Sequence, residues 1–438
     1  MGGKDKKGPR TKGNTKPSSS GRSAELLGHI PEFVGFGGLP EGSYVPIVGI
    51  NSQIEDASSD LNVPADFRLS LRKMGKRDSI TKIKALQEFS ELCKQNSVDT
   101  LKCVLPFWPR IFSRLAVDGD RRVREYLHKS HSQLTSQLGR NIAPHLKDMM
   151  GAWFTSQCDT YAPAASLASH SLKTCFPGNK LLDAISFCHN EIMDYIKDSI
   201  FKEENLPDEQ QERITIGGIG GYSLLLQQVK SDVIEAEKNL PRHTEVWVNA
   251  NLYKVVEKSK SLIIKQAWFG LIYNLVHYLP KVAQDNSKKI LPSVFKFLDD
   301  SESTSQLALW ETTLKILMTV ENASSYVNLP SHATPRFLNL LRSACSGNAS
   351  KICPLVVPYV RLLRDNKKTS TEKEELDRQV IEALFQGLLC RNIANSSVEA
   401  SALSSTLFQL LDYIIEVTQD STHVTELLKN TVFCLKFS

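Results

Sequence analysis

The chain has 438 residues, 41% hydrophobic and 23% charged, so it carries enough apolar side chains to fold yet is too long for one compact core. Its net charge of +5 is unevenly spread: residues 1–22 hold seven basic groups against Asp5, and the remainder sums to about −1. The basicity is therefore a tail on a nearly neutral body, and no run reaches the ~18–20 uninterrupted apolar residues that a membrane span needs.

Residues 1–23 are rich in Gly, Pro, Ser and Lys and almost free of large apolar side chains, which predicts a disordered basic tail. Its cations Lys4, Lys6, Lys7, Arg10, Lys12, Lys16 and Arg22 are the candidate contact residues for an RNA-rich surface or a partner protein. With no aromatic side chains interleaved, such a tail would hold phosphates rather than read bases. The competing reading is an import-type or solubilising tail. Residues 24–65, with Phe33, Phe36, Tyr44 and Val45 among glycines and prolines, predict an extended segment docked on the body.

From residue 66 to 200 the pattern becomes helical and repetitive. Ile80, Ile83, Leu86, Phe89, Leu92 and Cys93 share one helical face, with Asp78 or Ser79 as the N-cap. A second predicted helix carries Leu101, Val104, Leu105, Trp108, Ile111, Phe112 and Leu115, with Pro106 and Pro109 inside it. Asp118-Gly119-Asp120 predicts a turn that caps a third helix. In that helix's first turn Arg121, Arg122 and Arg124 oppose the macrodipole and so require acidic partners from Asp118, Asp120 or neighbouring helices. The unit then recurs, Ile142-Ala143-Pro144 echoing Val104-Leu105-Pro106 and Asp159 echoing Asp120, with Pro163 in the first turn of the following helix. A period near 40 with this punctuation predicts an all-α, HEAT/armadillo-like helical-repeat solenoid, for which Pro106, Asp120, Arg122, Arg124, Asp159 and Pro163 are the structural turn residues.

Residues 201–221, polar and ending in Gly217-Gly218-Ile219-Gly220-Gly221, predict an inter-repeat loop. Residues 222–438 predict further helical repeats, the pattern resuming at Leu252 and running past a charged loop at 365–375 to a C-terminal stripe, Phe433-Cys434-Leu435, with no polar cap. Such an end predicts an array that is open or truncated, or that docks on a partner.

Chemistry is sparse. The nine cysteines form no CxxC pair and no dense framework, which fits a reduced cytosolic or nuclear setting and lacks paired zinc ligands. His128 and His131 lie one turn apart but have no third ligand in pattern, so a solvated helix face is the expectation. The glycine run lacks the Lys-Ser/Thr of a phosphate loop, and no nucleophile elbow or kinase constellation occurs. Trp108, Trp153, Trp268 and Trp310 fall on apolar stripes and are expected in the core, whereas Trp247 has no assignment. No catalytic residue, cofactor or small-molecule substrate is expected for this chain.

Particular residues point to a family. Met1-Gly2-Gly3-Lys4, Arg10-Thr11-Lys12-Gly13-Asn14, Ser20-Gly21-Arg22 with Ala24-Glu25-Leu26-Leu27, and Phe36-Gly37 with Tyr44-Val45-Pro46 resemble the N-terminus of the listerin family. So do Asp66-Phe67-Arg68, Trp108-Pro109-Arg110-Ile111-Phe112, Asp120-Arg121-Arg122-Val123-Arg124-Glu125 and Gln157-Cys158-Asp159-Thr160-Tyr161. The resemblance is clear over residues 1–200 and looser beyond. It implies a long HEAT-like ubiquitin ligase of ribosome-associated quality control. The N-terminal region of such a ligase docks on the large ribosomal subunit beside a nuclear-export-mediator-like cofactor. Its C-terminal RING, which holds zinc, recruits a ubiquitin-conjugating enzyme. These residues contain no RING ligands, so the resemblance implies an N-terminal scaffold with the ligase chemistry elsewhere. A transport-receptor-like adaptor with an import-type tail is the alternative.

Overall fold

A computed structural model describes residues 63–201, 206–229, 239–299, 306–326, 333–390 and 396–419, with single positions between and beyond them. All belong to one compact unit, Tyr44–Ser438. The basic tail, nearly all of the 24–65 segment and the Phe433-Cys434-Leu435 stripe lie outside the described residues.

The described residues form helices and no strand. The chain begins with α1 (Ala65–Met74), α2 (Ser79–Gln95), the short α3 (Val98–Lys102), α4 (Trp108–Ala116) and α5 (Arg121–Leu138). It continues with α6 (Leu146–Thr155), α7 (Ala162–Cys175), α8 (Lys180–Phe187), α9 (His189–Phe201) and α10 (Asp208–Gln228). Two rows stack: α2, α5 and α7 pack in succession, as do α4, α6 and α9, with α4 also against α5. Alternate helices of the sequence thus build alternate layers, and each unit buries its apolar face only against its neighbours. This is the all-α helical-repeat solenoid that the 40-residue period predicted.

Local chemistry sets the helix ends. Asp78 caps α2 through a 2.7 Å bond accepted from the Thr81 amide. Pro106 does not sit inside a helix; it lies in the break between α3 and α4, and Pro109 falls in the first turn of α4, where a missing N–H is harmless. Pro163 occupies the same early position in α7.

Aromatic rings thread the first repeats. Phe67 meets Phe89 edge-on at 5.7 Å, Phe89 stacks on Trp108 at 4.6 Å, and Trp108 lies parallel to His131 at 6.2 Å. His131 then meets Trp153 edge-on at 4.2 Å. His128 and His131 are both wholly buried, so the expected solvated face is in fact a core face. Trp108 Nε1–H donates to His131 Nδ1 at 2.9 Å, which places the ring in its neutral form.

The segment expected as an inter-repeat loop is helical from Asp208 onward, and α10 carries Gly217, Gly218, Gly220 and Gly221 inside it. A Cβ on Gly218 would stand 2.8 Å from Ser199 Cβ, and one on Gly221 2.8 Å from Thr155 Cγ2. The glycines let α10 press against α6 and α9, and that packing overrides their poor helix propensity.

Helices α11 (Leu240–Val248), α12 (Ala250–Lys258), α13 (Leu262–Tyr278), α14 (Pro280–Asp285), α15 (Ser287–Phe295) and α16 (Gln306–Thr319) extend the array. After them come α17 (Thr334–Arg342), α18 (Ala349–Ile352), α19 (Val356–Asp365), α20 (Ser370–Leu388) and α21 (Ser397–Thr418). The pattern therefore resumes before Leu252. Trp247, unassigned from sequence, sits within α11, wholly buried, and donates to the Tyr222 hydroxyl at 2.9 Å. The predicted charged loop at 365–375 is mostly the first turns of α20, where Thr369 and Glu372 form a reciprocal capping box.

Candidate functional site

The turns of the solenoid repeat one polar device. At the α4–α5 turn, Asp118 Oδ1 accepts from the Asp120 amide at 2.9 Å, while Asp118 Oδ2 accepts from Lys82 of α2 at 2.5 Å. At the turn preceding α7, Asp159 Oδ1 accepts from the Tyr161 amide at 2.7 Å, and both carboxylate oxygens accept from Arg124 of α5 at 2.6 and 3.0 Å. In each case an aspartate closes its own turn and takes a cation from the preceding repeat, the partners lying 36 and 35 residues apart. The structural counterpart of Asp159 is thus Asp118, two positions before Asp120. Lys82 and Asp118 escaped the sequence reading as a pair, although the matching separation is a signal that could have found them.

Asp120 has a different task. It is the N-cap of α5, accepting from the Arg122 amide at 2.9 Å, and the Arg122 side chain returns to it at 2.9 Å. Bonding to Arg122 holds the Asp120 carboxyl below the usual carboxylate range. The three arginines of that first turn are all engaged. Arg121 lies over the Tyr161 ring at 5.2 Å, Arg122 is on Asp120, and Arg124 is on Asp159. Arg121 and Arg124 therefore reach the turn before α7, whereas Arg122 serves only its own cap.

The α10 helix reaches back to this spine. Gln210 donates to the Val117 carbonyl at 2.6 Å, and Arg213 donates to the carbonyls of Val117 at 3.0 Å and Asp118 at 2.8 Å. These contacts join residues more than 90 positions apart and were invisible in the sequence pattern.

Two other features stand out. A groove of about 720 Å³ runs between α1, α2 and α5, lined by Leu69, Glu88, Glu91, Tyr126, Lys129 and others. A buried polar chain crosses α9, α10 and α11: His189 and His243 approach at 3.1 Å, Tyr222 meets His243 Nδ1 at 2.9 Å, and Trp247 completes it. Burial pushes His243 down to about 3, so that ring is uncharged at neutral pH.

Among the described residues, no group of three or more His, Cys, Asp or Glu is placed to hold a metal ion, and no helix is long and apolar enough to cross a membrane. Of the expected turn residues, Arg124 and Asp159 pair between repeats, Asp120 and Arg122 form a local cap at the start of α5, Pro163 lies in the first turn of α7, and Pro106 lies in the break between α3 and α4.

Comparison with known proteins gives these observations a family context. Residues 58–363 match the family model described as the N-terminal domain of E3 ubiquitin-protein ligase listerin. The chain is 35% identical over 433 residues to the E3 ubiquitin-protein ligase listerin of Gallus gallus, covering 95% of this chain and 24% of that protein. It is 33% identical over 447 residues to the Mus musculus protein of the same name, covering 98% and 25%. It thus spans about a quarter of the length of the curated relatives it matches. Among solved structures, that of Kap121p is similar at 13% identity and a TM-score of 0.37, covering 83% of this chain and 36% of that one.

Proposed function

The chain belongs to the listerin family of E3 ubiquitin-protein ligases, matching its N-terminal domain, and from that premise we propose that it is a ribosome-docking scaffold. The observation that carries this reading is the match to the N-terminal domain across residues 58–363. The solenoid then acts as a rigid spacer in ribosome-associated quality control in the cytosol. It engages the large ribosomal subunit and a nuclear-export-mediator-like cofactor, while a RING outside these residues, with its zinc, recruits the ubiquitin-conjugating enzyme and modifies stalled nascent chains. The fastened turns support such a role, because a spacer must keep its geometry under load.

In this reading the tail supplies an electrostatic contact. Six or seven neutralised phosphates would make binding steeply salt-dependent through counterion release. The test is co-sedimentation of the purified chain with isolated large subunits, with and without residues 1–22, at low and at physiological salt. Tail-dependent, salt-sensitive co-sedimentation is expected. No association under any condition, even with the cofactor added, overturns the reading and returns the chain to a helical adaptor of transport-receptor type. Replacing Lys4, Lys6, Lys7, Arg10 and Lys12 with Ser should weaken association without altering the thermal melt; an affinity indifferent to salt removes the electrostatic part.

A further inference from the structure

A second basic surface lies within the body itself. Although the chain beyond residue 22 is nearly neutral, residues 250–296 carry eight lysines against Glu257 and Asp285. Helices α12 and α15 pack together, and two bonds fix their relation. Lys289 Nζ donates to the Val248 carbonyl at 2.9 Å, just before α12 begins, and Lys296 Nζ pairs with Glu257 near its end at 2.8 Å. The two helices therefore run parallel, one repeat apart, in one layer. Lys254 and Lys258 of α12, Lys260 just beyond its end, and Lys288 and Lys289 of α15 are all exposed.

The lysines are in excess of anything that would neutralise them. Glu257 is taken by Lys296, and Lys254, Lys258, Lys260 and Lys288 have no ion-pair partner among the described residues. Gathering like charges on adjacent helices raises self-repulsion, which a polyanion relieves. The geometry is regular: Lys254 and Lys258 stand one turn apart, about 6 Å along the helix, and the neighbouring row is roughly 8–10 Å away. No exposed aromatic ring lies on α12 or α15. The surface is therefore equipped to hold phosphates and not to stack bases.

We propose that the α12–α15 face is an RNA-binding surface that grips the sugar-phosphate backbone of duplex RNA. Duplex RNA is recognised mainly through shape and backbone contacts, which point charges on a rigid surface supply. The inference deepens the ribosome-docking reading, on which the choice of RNA rests, by adding an anchor distant in sequence from the tail. An anchor on the helical body would also fix an orientation that a tail alone leaves free.

The test uses a short fluorescent RNA duplex and the whole chain, in native form and with Lys254→Gln, Lys258→Gln, Lys260→Gln and Lys288→Gln combined. Gln keeps helix propensity, and thermal melts check that the fold is retained. The quadruple variant should bind the duplex roughly tenfold or more weakly, and its log-affinity against log-salt slope should be shallower by about three to four. The matching Lys→Arg set should retain native binding. Equal affinity and slope for native and Gln variant overturns the proposal, as does absence of duplex binding by the native chain. Binding to anionic phospholipid vesicles but not to RNA overturns it in favour of a membrane surface. Large-subunit co-sedimentation separates this inference from the docking reading. If the native chain binds duplex through these lysines but never sediments with subunits, the docking reading falls and the surface stands. If the chain sediments and the Gln variant sediments equally well, the surface falls and docking stands.

Discussion

Arg124 and Asp159, 35 residues apart in sequence, meet through paired bonds of 2.6 and 3.0 Å, with only 3% and 6% of their side chains exposed. They join α5 to the turn before α7, so a buried ion pair reinforces the packing between two repeats. Removing either member strands the other charge out of water. Arg124→Ala or Asp159→Ala should each cost about 3–5 kcal/mol. Arg124→Met combined with Asp159→Leu should cost much less than the sum of the single changes. Urea denaturation of all four proteins measures this, and strict additivity would contradict the pairing.

Neighbouring glycines of α10 should respond in opposite directions. A Cβ on Gly217 meets nothing within 4 Å, so Gly217→Ala should stabilise the chain by about 0.5–1 kcal/mol through helix propensity. On Gly218 the same Cβ would lie 2.8 Å from Ser199 Cβ and 2.9 Å from Ile200 Cγ1, so Gly218→Ala should destabilise by roughly 1–3 kcal/mol. Thermal melts of the two variants decide it; a stabilising Gly218→Ala would mean that α10 does not approach α9 closely.

Burial pushes His128 down to about 4, well below its ordinary 6.5, and neither ring nitrogen has a hydrogen-bond partner among the described residues. Between about pH 6.5 and 4 the unfolded chain binds a proton that the folded chain does not, so stability falls as the pH falls through that window. Burial lowers His131 and His243 as well, and they add in the same direction. His128→Leu, which keeps the apolar contacts with Phe112, should flatten the dependence of melting temperature on pH across the window. An unchanged slope would place the acid sensitivity elsewhere.

Asp120 and Thr369 cap α5 and α20, the latter with a full capping box. Asp120→Ala should cost about 1 kcal/mol, and Asp120→Asn, which keeps the acceptor, should cost less. The Asp120–Arg122 ion pair is exposed on the arginine side, so raising salt should remove little of that difference. Circular-dichroism melts at two salt concentrations provide the comparison.

Periodicity and punctuation determined the architecture from sequence alone. The recurrence of Val104-Leu105-Pro106 as Ile142-Ala143-Pro144, the aspartates at the turns and the apolar stripes place the helices of the first repeats, because a repeat whose face needs a neighbour must repeat its apolar pattern. Local capping was legible too: Asp78 and Asp120 begin α2 and α5 because their side chains bond amides only two or three residues away. The family was likewise readable from short motifs in the first 200 residues.

What lay outside that reach was every property set by a distant partner. His128 and His131 look polar at one-turn spacing, yet ring contacts with Phe112 of α4 and Trp153 of α6 make their face a core face. Gly217 to Gly221 look like a loop because intrinsic propensity disfavours helix, and only close contact with Ser199, Cys158 and Thr155 reverses that preference. Asp118 takes Lys82, and Arg213 reaches carbonyls some 95 residues away, through stacking that no window of sequence contains. The basic α12–α15 face arises the same way: lysines separated along the chain become one surface only because parallel stacking sets their helices side by side. Local pattern specifies a helix and its apolar side, whereas partner, burial and shared surface follow from the order in which the repeats pack.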